Sequence, residues 1–197
     1  MLGRAATSLL VLAAAGCGTP DSVIQDLRSP NAFQQMRGIN AIIKAGDADD
    51  EALPLLARHL QSPLGEVSVR AAKALGSLGE KGVPALERAL RSSDPEIRWK
   101  AALGLYSAGS AAAAAAPALI AALKDSDALV RQYTAMAIGM AGLREAIPAL
   151  KARLADEEDP HAKEAMGWTL HILGDRPEIN TGPARVIERR GGPPEKP

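Results

Sequence analysis

Apolar residues recur along most of this chain three or four residues apart, which is the spacing of one helix face. The clearest stretches each end on a glycine: VSVRAAKALGSLG, IRWKAALGLYSAG, VRQYTAMAIGMAG and AKEAMGWTLHILG. Because this period matches the 3.6 residues of a helical turn, each stretch predicts an amphipathic helix. Few stretches alternate apolar and polar residues as strands do. The pattern predicts an all-α fold.

The signals that start and end these helices repeat along the chain. The starts, a capping side chain mostly followed by proline, lie 32 or 33 residues apart, and the terminal glycines lie 30 to 33 residues apart. Two independent signals with nearly one period indicate an internal repeat. The starts are Ser29-Pro30, Ser62-Pro63, Asp94-Pro95, Asp127-Ala128 and Asp159-Pro160; the glycines are Gly46, Gly79, Gly109, Gly142 and Gly174.

A second, shorter apolar stretch follows each of the first four glycines. These stretches are ALPLLARHL, GVPALERAL, AAPALIAAL and AIPALKARL, and leucines two and six residues after the proline share one helix face. Since proline is tolerated in the first turn of a helix but not in its interior, the prolines mark helix starts. They are Pro54, Pro84, Pro117 and Pro148.

These residues resemble HEAT repeats of the short bacterial kind found in HEAT-like phycobilisome-lyase families. The family pattern Val-Arg-x-x-Ala-Ala-x-Ala-Leu-Gly-x-Leu-Gly is nearly complete in residues 97–109 and 130–142, whereas Ser68 stands where Arg is usual. The resemblance covers about residues 21–174. It implies an α-solenoid of about four to five HEAT-like helix pairs with degenerate capping units at its ends, and it specifies fold rather than function.

The N-terminus has the pattern of a secretory signal. One positive charge precedes the apolar segment Ala5–Ala15, which is too short to span a membrane. The following Ala14-Ala15-Gly16-Cys17 resembles the bacterial lipobox, in which the cysteine is lipidated. There are two alternatives. Either the signal peptide is cleaved in the ordinary way after the alanines, or this segment is a buried N-terminal helix with an inert cysteine.

The organisation expected from these signals has four parts. Residues 1–17 are a signal peptide with lipidation at Cys17, residues 18–20 a tether, residues 21–174 the HEAT-repeat domain and residues 175–197 a disordered tail rich in Pro, Gly and charge. The expected location is the bacterial cell envelope, as a membrane-anchored lipoprotein on the periplasmic or extracytoplasmic face.

Composition narrows the possible chemistry. The 23 basic and 23 acidic residues give no net charge, so no general attraction to nucleic acid is expected. One cysteine permits neither an intramolecular disulfide nor a multi-cysteine zinc site. His59, His161 and His171 lack the spacing of metal ligands, and the repeated His-Glu dipeptides of deoxyhypusine hydroxylase, a HEAT-like di-iron enzyme, are absent. We expect no catalytic residue, cofactor or metal.

Basic residues recur on the second helices, which line the concave, partner-binding face in HEAT arrays. They suggest a site for an acidic peptide or an anionic headgroup. The alternative is that cations near helix C-termini offset the helix dipole. The candidates are Arg58, His59, Arg88, Arg91, Lys124, Lys151 and Arg153.

A second candidate surface is an apolar stripe on the helix of residues 95–108. Trp99, Leu103 and Tyr106 lie opposite the expected core face. They suggest a contact with a partner, and packing between repeats is the alternative. Trp168 has no such companions and is interpreted as a packing residue.

The sequence thus favours a non-catalytic scaffold or adaptor that binds a protein partner, with no nucleic acid or small-molecule substrate. A HEAT-like enzyme related to bilin lyases or DNA glycosylases is one alternative. A structural component of the envelope is another.

Overall fold

The computed structural model describes residues 19–175, and this part of the chain is helical without a strand. Its longer helices have 13 or 14 residues and its shorter ones 7 to 9. The helices are α1 Pro20–Arg28, α2 Ala32–Ala45, α3 Ala52–His59, α4 Gly65–Ser77, α5 Val83–Ala89, α6 Pro95–Ala108, α7 Ala116–Ala122, α8 Ala128–Ala141, α9 Ile147–Ala155 and α10 Pro160–Ile172; 3₁₀ turns occupy Gly79–Lys81, Gly109–Ala115 and Arg144–Ala146.

The helices form two layers. The longer helices α2, α4, α6, α8 and α10 pack side by side in chain order, each against the next. The shorter helices α1, α3, α5, α7 and α9 form the second layer, each packed on the long helix that follows it. Helix pairs that contact only their neighbours make an α-solenoid, so the predicted fold class is confirmed.

Glycine ends the longer helices at the predicted places. All five glycines have a positive φ, between 55° and 82°, a conformation that costs other residues energy.

Three of the helix starts lie where the sequence predicts them, at Asp94, Asp127 and Asp159, whose side chains cap α6, α8 and α10. The first two starts differ. Asn31 rather than Ser29 caps α2, accepting a hydrogen bond from the Phe33 N–H at 2.8 Å, and α4 begins only at Gly65.

The core lies between the two layers. The predicted leucine two residues after each proline is fully buried, and each such side chain contributes on the order of 2 kcal/mol to folding. These leucines are Leu56, Leu86, Leu119 and Leu150. They meet the buried face of the longer helices, where the residue four before each glycine is also fully buried: Ile42, Leu75, Leu105, Ile138 and Leu170.

The stretch Pro95–Ala122 has the length and mean hydropathy, 1.4, of a membrane-spanning helix. Here it is interrupted at Gly109, where φ is 58°. Its two helical parts, α6 and α7, pack within the solenoid against α4, α5 and α8. Alanine-rich stacking of repeats therefore accounts for its apolar composition.

The predicted terminal segments fall mostly outside the described residues. The signal peptide, the lipidation site Cys17 and residues 176–197 of the predicted tail lie there. At the predicted tether, α1 already begins at Pro20, and Thr19 caps it by accepting a hydrogen bond from the Ser22 N–H at 3.3 Å. Two of the three tether residues therefore belong to the start of a helix.

Candidate functional site

The candidate site is the solvent side of the second-layer helices α3, α5, α7 and α9, here called the second-helix face. Exposed side chains lie there four residues after each helix-starting proline. In α3 and α5 this position holds Arg58 and Arg88, and in α7 and α9 it holds Ala121 and Ala152. At this position the face therefore changes from arginine to alanine along the solenoid.

Three cations of this face have no charged partner in the described part of the chain. Arg58, Arg88 and Lys124 are exposed, and none has an ion pair or side-chain hydrogen bond within residues 19–175. A cation without a neighbouring carboxylate is free to pair with an incoming anionic group. These three residues make one side of the face electropositive.

The other predicted cations are already paired. Arg91 Nη2 lies 2.5 Å from Glu87 Oε1, and Lys151 Nζ lies 2.6 Å from Asp175 Oδ2. Arg153 Nη2 lies 3.1 Å from Glu157 Oε2, and its Nη1 donates to the Asp156 carbonyl at 3.2 Å. Exposed pairs of this kind are weak, so Arg91 and Lys151 can exchange partners, whereas Arg153 is held by a buried carboxylate.

The placement of His59 on this face is wrong. Its side chain is 5% exposed, and Nε2 lies 2.8 Å from the Leu27 carbonyl oxygen at the end of α1. Burial lowers the pKa of His59 below its ordinary value of 6.5, and the charge of Arg58 acts in the same direction. His59 lies three residues after Leu56 on the buried face of α3, so its ring meets α1 instead of solvent. His59 joins two helices and is not available to a partner.

A groove of about 970 Å³ lies between α7 and α9, at the apolar end of the face. Its floor consists of small or aliphatic side chains, including Ile120, Ala121, Ala149 and Ala152, and Lys124 stands at its side. The exposed carboxylates of Asp156 and Glu158 also line the groove, and neither has an ion pair or side-chain hydrogen bond within residues 19–175. Small side chains let the backbone of an extended segment approach closely.

Beneath the groove runs a row of arginine–carboxylate pairs that sequence analysis missed. Arg98 Nε and Nη2 lie 2.7 and 2.8 Å from the carboxylate oxygens of Asp125. One repeat later, Arg131 Nε and Nη2 each lie 2.7 Å from Glu157. We call these two pairs the arginine ladder. The arginines belong to the Val-Arg pattern, but their partners lie 27 and 26 residues further along the chain.

Each ladder arginine also fixes the loop before its own helix. Arg98 Nη1 donates to the carbonyls of Ser92 and Ser93 at 3.1 and 3.0 Å. Arg131 Nη1 makes the equivalent bonds to the carbonyls of Asp125 and Ser126 at 2.8 and 3.0 Å. Each guanidinium thus ties a helix, the loop before it and the next loop together, which makes the wall of the groove rigid.

The ladder carboxylates are held in the charged form. Hydrogen bonds from Arg131 lower the pKa of Glu157 to about 2 from an ordinary 4.5, against the opposing effect of burial. Burial alone would raise the pKa of Asp125, but the hydrogen bonds from Arg98 and the Asp127 N–H outweigh it, so that pKa is lowered. Groups ionised this firmly serve structure and cannot act as proton donors near neutral pH.

A family model for HEAT repeats matches residues 53–116 and 116–180, which is well over half of the chain. The chain belongs to the HEAT repeat family. Membership makes it a helical repeat scaffold. Membership of the family accounts for the observed layers of helix pairs, but it does not specify a particular ligand.

Solved structures with similar HEAT-like arrays include one from a lyase. The complex of CpcE and CpcF of phycocyanin lyase from Nostoc sp. PCC7120 is similar with a TM-score of 0.59 and 25% identity, over 79% of this chain and 65% of that one. The HEAT repeat chain thus spans less than two thirds of that protein. An engineered protein is similar with a TM-score of 0.50 and 19% identity, over 87% and 90% of the two chains, which shows the fold alone. No curated protein matches the sequence.

The stripe on α6 lies mostly at a junction between HEAT repeats. Leu103 is 7% exposed, Tyr106 is half-buried, and the Trp99 ring stacks on Tyr133 of α8 with centroids 5.8 Å apart. Trp99 Nε1 also donates to Glu96 Oε2 at 3.0 Å. Packing between repeats, which was the alternative interpretation of this stripe, therefore explains most of its surface.

Trp168 is 49% exposed, so its interpretation as a packing residue is wrong.

The described part of this HEAT repeat chain offers no metal centre. Within residues 19–175, no group of three or more His, Cys, Asp or Glu side chains converges in a way that could hold a metal ion. His161 and His171 are exposed at opposite ends of α10.

Proposed function

We propose that this HEAT repeat chain is a non-catalytic scaffold of the bacterial cell envelope, anchored by a lipid on Cys17, which binds another protein along the second-helix face. The observation that carries the proposal is the unpaired charge of Arg58, Arg88 and Lys124 on the same face as a groove lined by both aliphatic and charged residues. Charge complementarity gives such a face specificity and a fast on-rate. The similar solved structure, a complex of two chains, supports a role in protein assembly.

The chemistry of the face defines the partner segment. Acidic side chains pair with Arg58 and Arg88, and small apolar residues of the same segment occupy the groove between α7 and α9. Lys124 stands between the two regions and pairs with a carboxylate at their boundary. The partner is therefore an extended acidic segment that continues into small aliphatic residues.

Crosslinking in intact cells tests this binding face. A photoreactive residue at Ala121, at the groove floor, is expected to capture a distinct protein. Reversing Arg58, Arg88 and Lys124 to Glu is expected to reduce the capture at least tenfold at constant salt. A matched control reverses Lys44 and Lys73, which are exposed on the longer helices. Unchanged capture in the first variant, or an equal loss in the control, contradicts the proposed face.

Fatty-acid labelling tests the anchor separately. The wild-type chain is expected to incorporate labelled fatty acid, and the Cys17→Ala chain to incorporate none. Equal labelling of both chains removes the lipid anchor from the proposal without affecting the binding face.

A second candidate function is catalysis by a lyase subunit. It is favoured by the similarity to the phycocyanin lyase complex at 25% identity. Incubating the purified chain with a bilin and an acceptor protein tests it, because covalent attachment gives an absorbing product. Formation of that product would replace the scaffold function with an enzymatic one.

A further inference from the structure

The last described residue, Asp175, is held beside the groove between α7 and α9. Its N–H donates to the Leu170 carbonyl at 3.0 Å, and its carboxylate lies 2.6 Å from Lys151 Nζ on α9. Lys151 directly precedes Ala152, which lines the groove. The residues that follow Asp175 in the sequence therefore start next to this groove.

The groove carries unpaired charge of mainly negative sign. The carboxylates of the arginine ladder are already paired, and so is Arg153, which lies 3.1 Å from Glu157. Of the other charged residues in its lining, Asp156, Glu158 and Lys124 have no ion pair within residues 19–175. Two free carboxylates and one free ammonium favour an occupant with a net positive charge.

The shape of the groove suits an extended peptide with an aliphatic side chain. Its volume of about 970 Å³ lies at the upper end of the range for ligand sites, about 300–1,000 Å³. Ala121 and Ala152 are exposed on its floor, and Ile120 is half-buried beside them. Small floor residues leave room for a branched side chain from the occupant.

The sequence after Asp175 contains one segment of this chemistry. Residues 184–190, here called the tail segment, read Ala-Arg-Val-Ile-Glu-Arg-Arg and have three cations against one acid. Alternate residues of an extended chain share one face, so Arg185, Ile187 and Arg189 point the same way. Ile179, another branched residue after Asp175, has no basic residue within two positions of it.

We propose that the tail segment binds in the groove between α7 and α9 of its own chain. Ile187 occupies the aliphatic floor, and Arg185 and Arg189 pair with the two free carboxylates of the groove. Glu188, the acid of the segment, pairs with the unpaired lysine of the groove. Every unpaired charge of the groove then has a partner of opposite sign.

The chain is long enough for this contact. Ile187 lies 12 residues after Asp175, and such a length spans up to about 40 Å when extended. Passing over α9 requires only about 10 Å, the usual distance between packed helices. A short flexible connection gives an effective concentration in the millimolar range, so a contact that is weak between separate molecules still forms within one chain.

The contact makes the tail segment a competitor of the bound partner. It covers the groove and leaves Arg58 and Arg88 of the second-helix face open to the acidic part of a partner. A partner therefore has to displace the tail segment before it can occupy the whole face. This regulation rests on the groove used in the proposed function, but not on the identity of the partner.

Disulfide formation within one chain tests the contact. The chain from Thr19 to Pro197 keeps every described helix and contains no cysteine, because Cys17 is the single one in the sequence. Under mild oxidation, Ala152→Cys with Ile187→Cys is expected to form an intramolecular disulfide. The control pairs Ile187→Cys with His171→Cys, an exposed position nearer to Asp175 along the chain, and is expected to react at least tenfold more slowly. Equal rates, or a covalent dimer instead of the intramolecular bond, overturn the proposal.

Charge reversal separates binding from chance collision. Asp156→Lys with Glu158→Lys, added to the Ala152→Cys and Ile187→Cys chain, is expected to slow disulfide formation at least tenfold. Asp50→Lys with Glu80→Lys reverses two exposed carboxylates far along the chain and is expected to leave the rate unchanged. Circular dichroism checks that both variants keep their helicity. An unchanged rate in the first variant overturns the proposal.

Crosslinking in cells distinguishes this inference from the proposed function. Deleting residues 184–190 is expected to raise capture of the partner by the photoreactive residue at Ala121 at least threefold, and unchanged capture overturns the competition. If the disulfide forms but no distinct protein is captured, the contact is supported and the proposed function fails. If a protein is captured but the disulfide does not form, the contact fails and the proposed function is supported.

Discussion

Arg131 and Glu157 form a bidentate ion pair in which both hydrogen bonds measure 2.7 Å and the carboxylate is completely buried. The pair connects α8 to the loop that begins α10. It repeats, one unit later, the relationship of Arg98 to Asp125. Two HEAT repeat junctions are therefore fixed by charge as well as by apolar packing, and the wall of the proposed binding groove depends on both.

Removing the carboxylate of the buried pair should strongly destabilise the chain. Glu157→Gln leaves the guanidinium of Arg131 buried without its anionic partner, which typically costs about 3–5 kcal/mol. We expect a loss of about 3 kcal/mol in the free energy of unfolding, measured by urea denaturation. Glu158→Gln changes the exposed neighbouring carboxylate and serves as the control. A loss below about 1 kcal/mol would show that the pair contributes little.

The same pair predicts a dependence of stability on acid. The pKa of Glu157 is about 2 in the folded chain against an ordinary 4.5, so its contribution is complete above pH 4.5 and is lost as the pH falls toward 2. A shift of this size corresponds to about 3 kcal/mol. The difference in unfolding free energy between wild type and Glu157→Gln should therefore shrink between pH 5 and pH 2. A constant difference over this range contradicts the lowered pKa.

His59 predicts a second dependence at higher pH. Burial lowers its pKa below 6.5, so the unfolded chain binds the proton more readily than the folded one. Stability is complete above pH 6.5 and is lost as the pH falls through the lowered pKa of the folded state. Urea denaturation between pH 7.5 and pH 5 should show this decrease in the wild type and a smaller one in His59→Gln. An identical decrease in both chains would assign the effect to other groups.

Two helical glycines should respond to alanine in opposite directions. A Cβ at Gly104 would lie 2.5 Å from Leu86 Cδ2 and 2.7 Å from the Ala72 carbonyl oxygen, whereas a Cβ at Gly167 meets nothing within 4 Å. Gly104→Ala should destabilise the chain by about 1–3 kcal/mol through overpacking. Gly167→Ala should stabilise it by up to about 1 kcal/mol, because alanine favours the helix. Thermal unfolding measures both, and equal effects would contradict the close packing of α4 against α6.

Local signals in the sequence predicted the repeat and its boundaries well, because they depend on neighbouring residues. Positive-φ glycines and capping aspartates act within one helical turn. All five predicted glycines lie at the C-cap of a longer helix or one residue after it. The starts of α2 and α4 were each misplaced by two residues. There, Asn31 competes with Ser29 for the capping role, and the residues after Pro63 remain extended to Leu64.

The site was harder to predict because its contacts join distant parts of the chain. Nothing near Arg98 identifies Asp125 as its partner until the repeats are stacked. His59 was placed outward by counting from Pro54, but it lies on the buried face of α3, three residues after Leu56, and α1 covers its ring. The exposure of Trp168 likewise follows from the order of the stacked helices. It depends on which helices pack beside α10, and the sequence of α10 alone does not show this.

The arginine ladder does not extend to α4, where Ser68 takes the place of the arginine and Ser92 that of the carboxylate. No side-chain hydrogen bond or ion pair joins α4 to α6 in the described chain, and apolar contact alone holds that junction. Under tension between the N-terminus and a partner held at the far end, the later repeats would move as one stiff arm. At the α4–α6 junction, resistance to bending would come from the close packing around Gly76 and Gly104 instead of from charge.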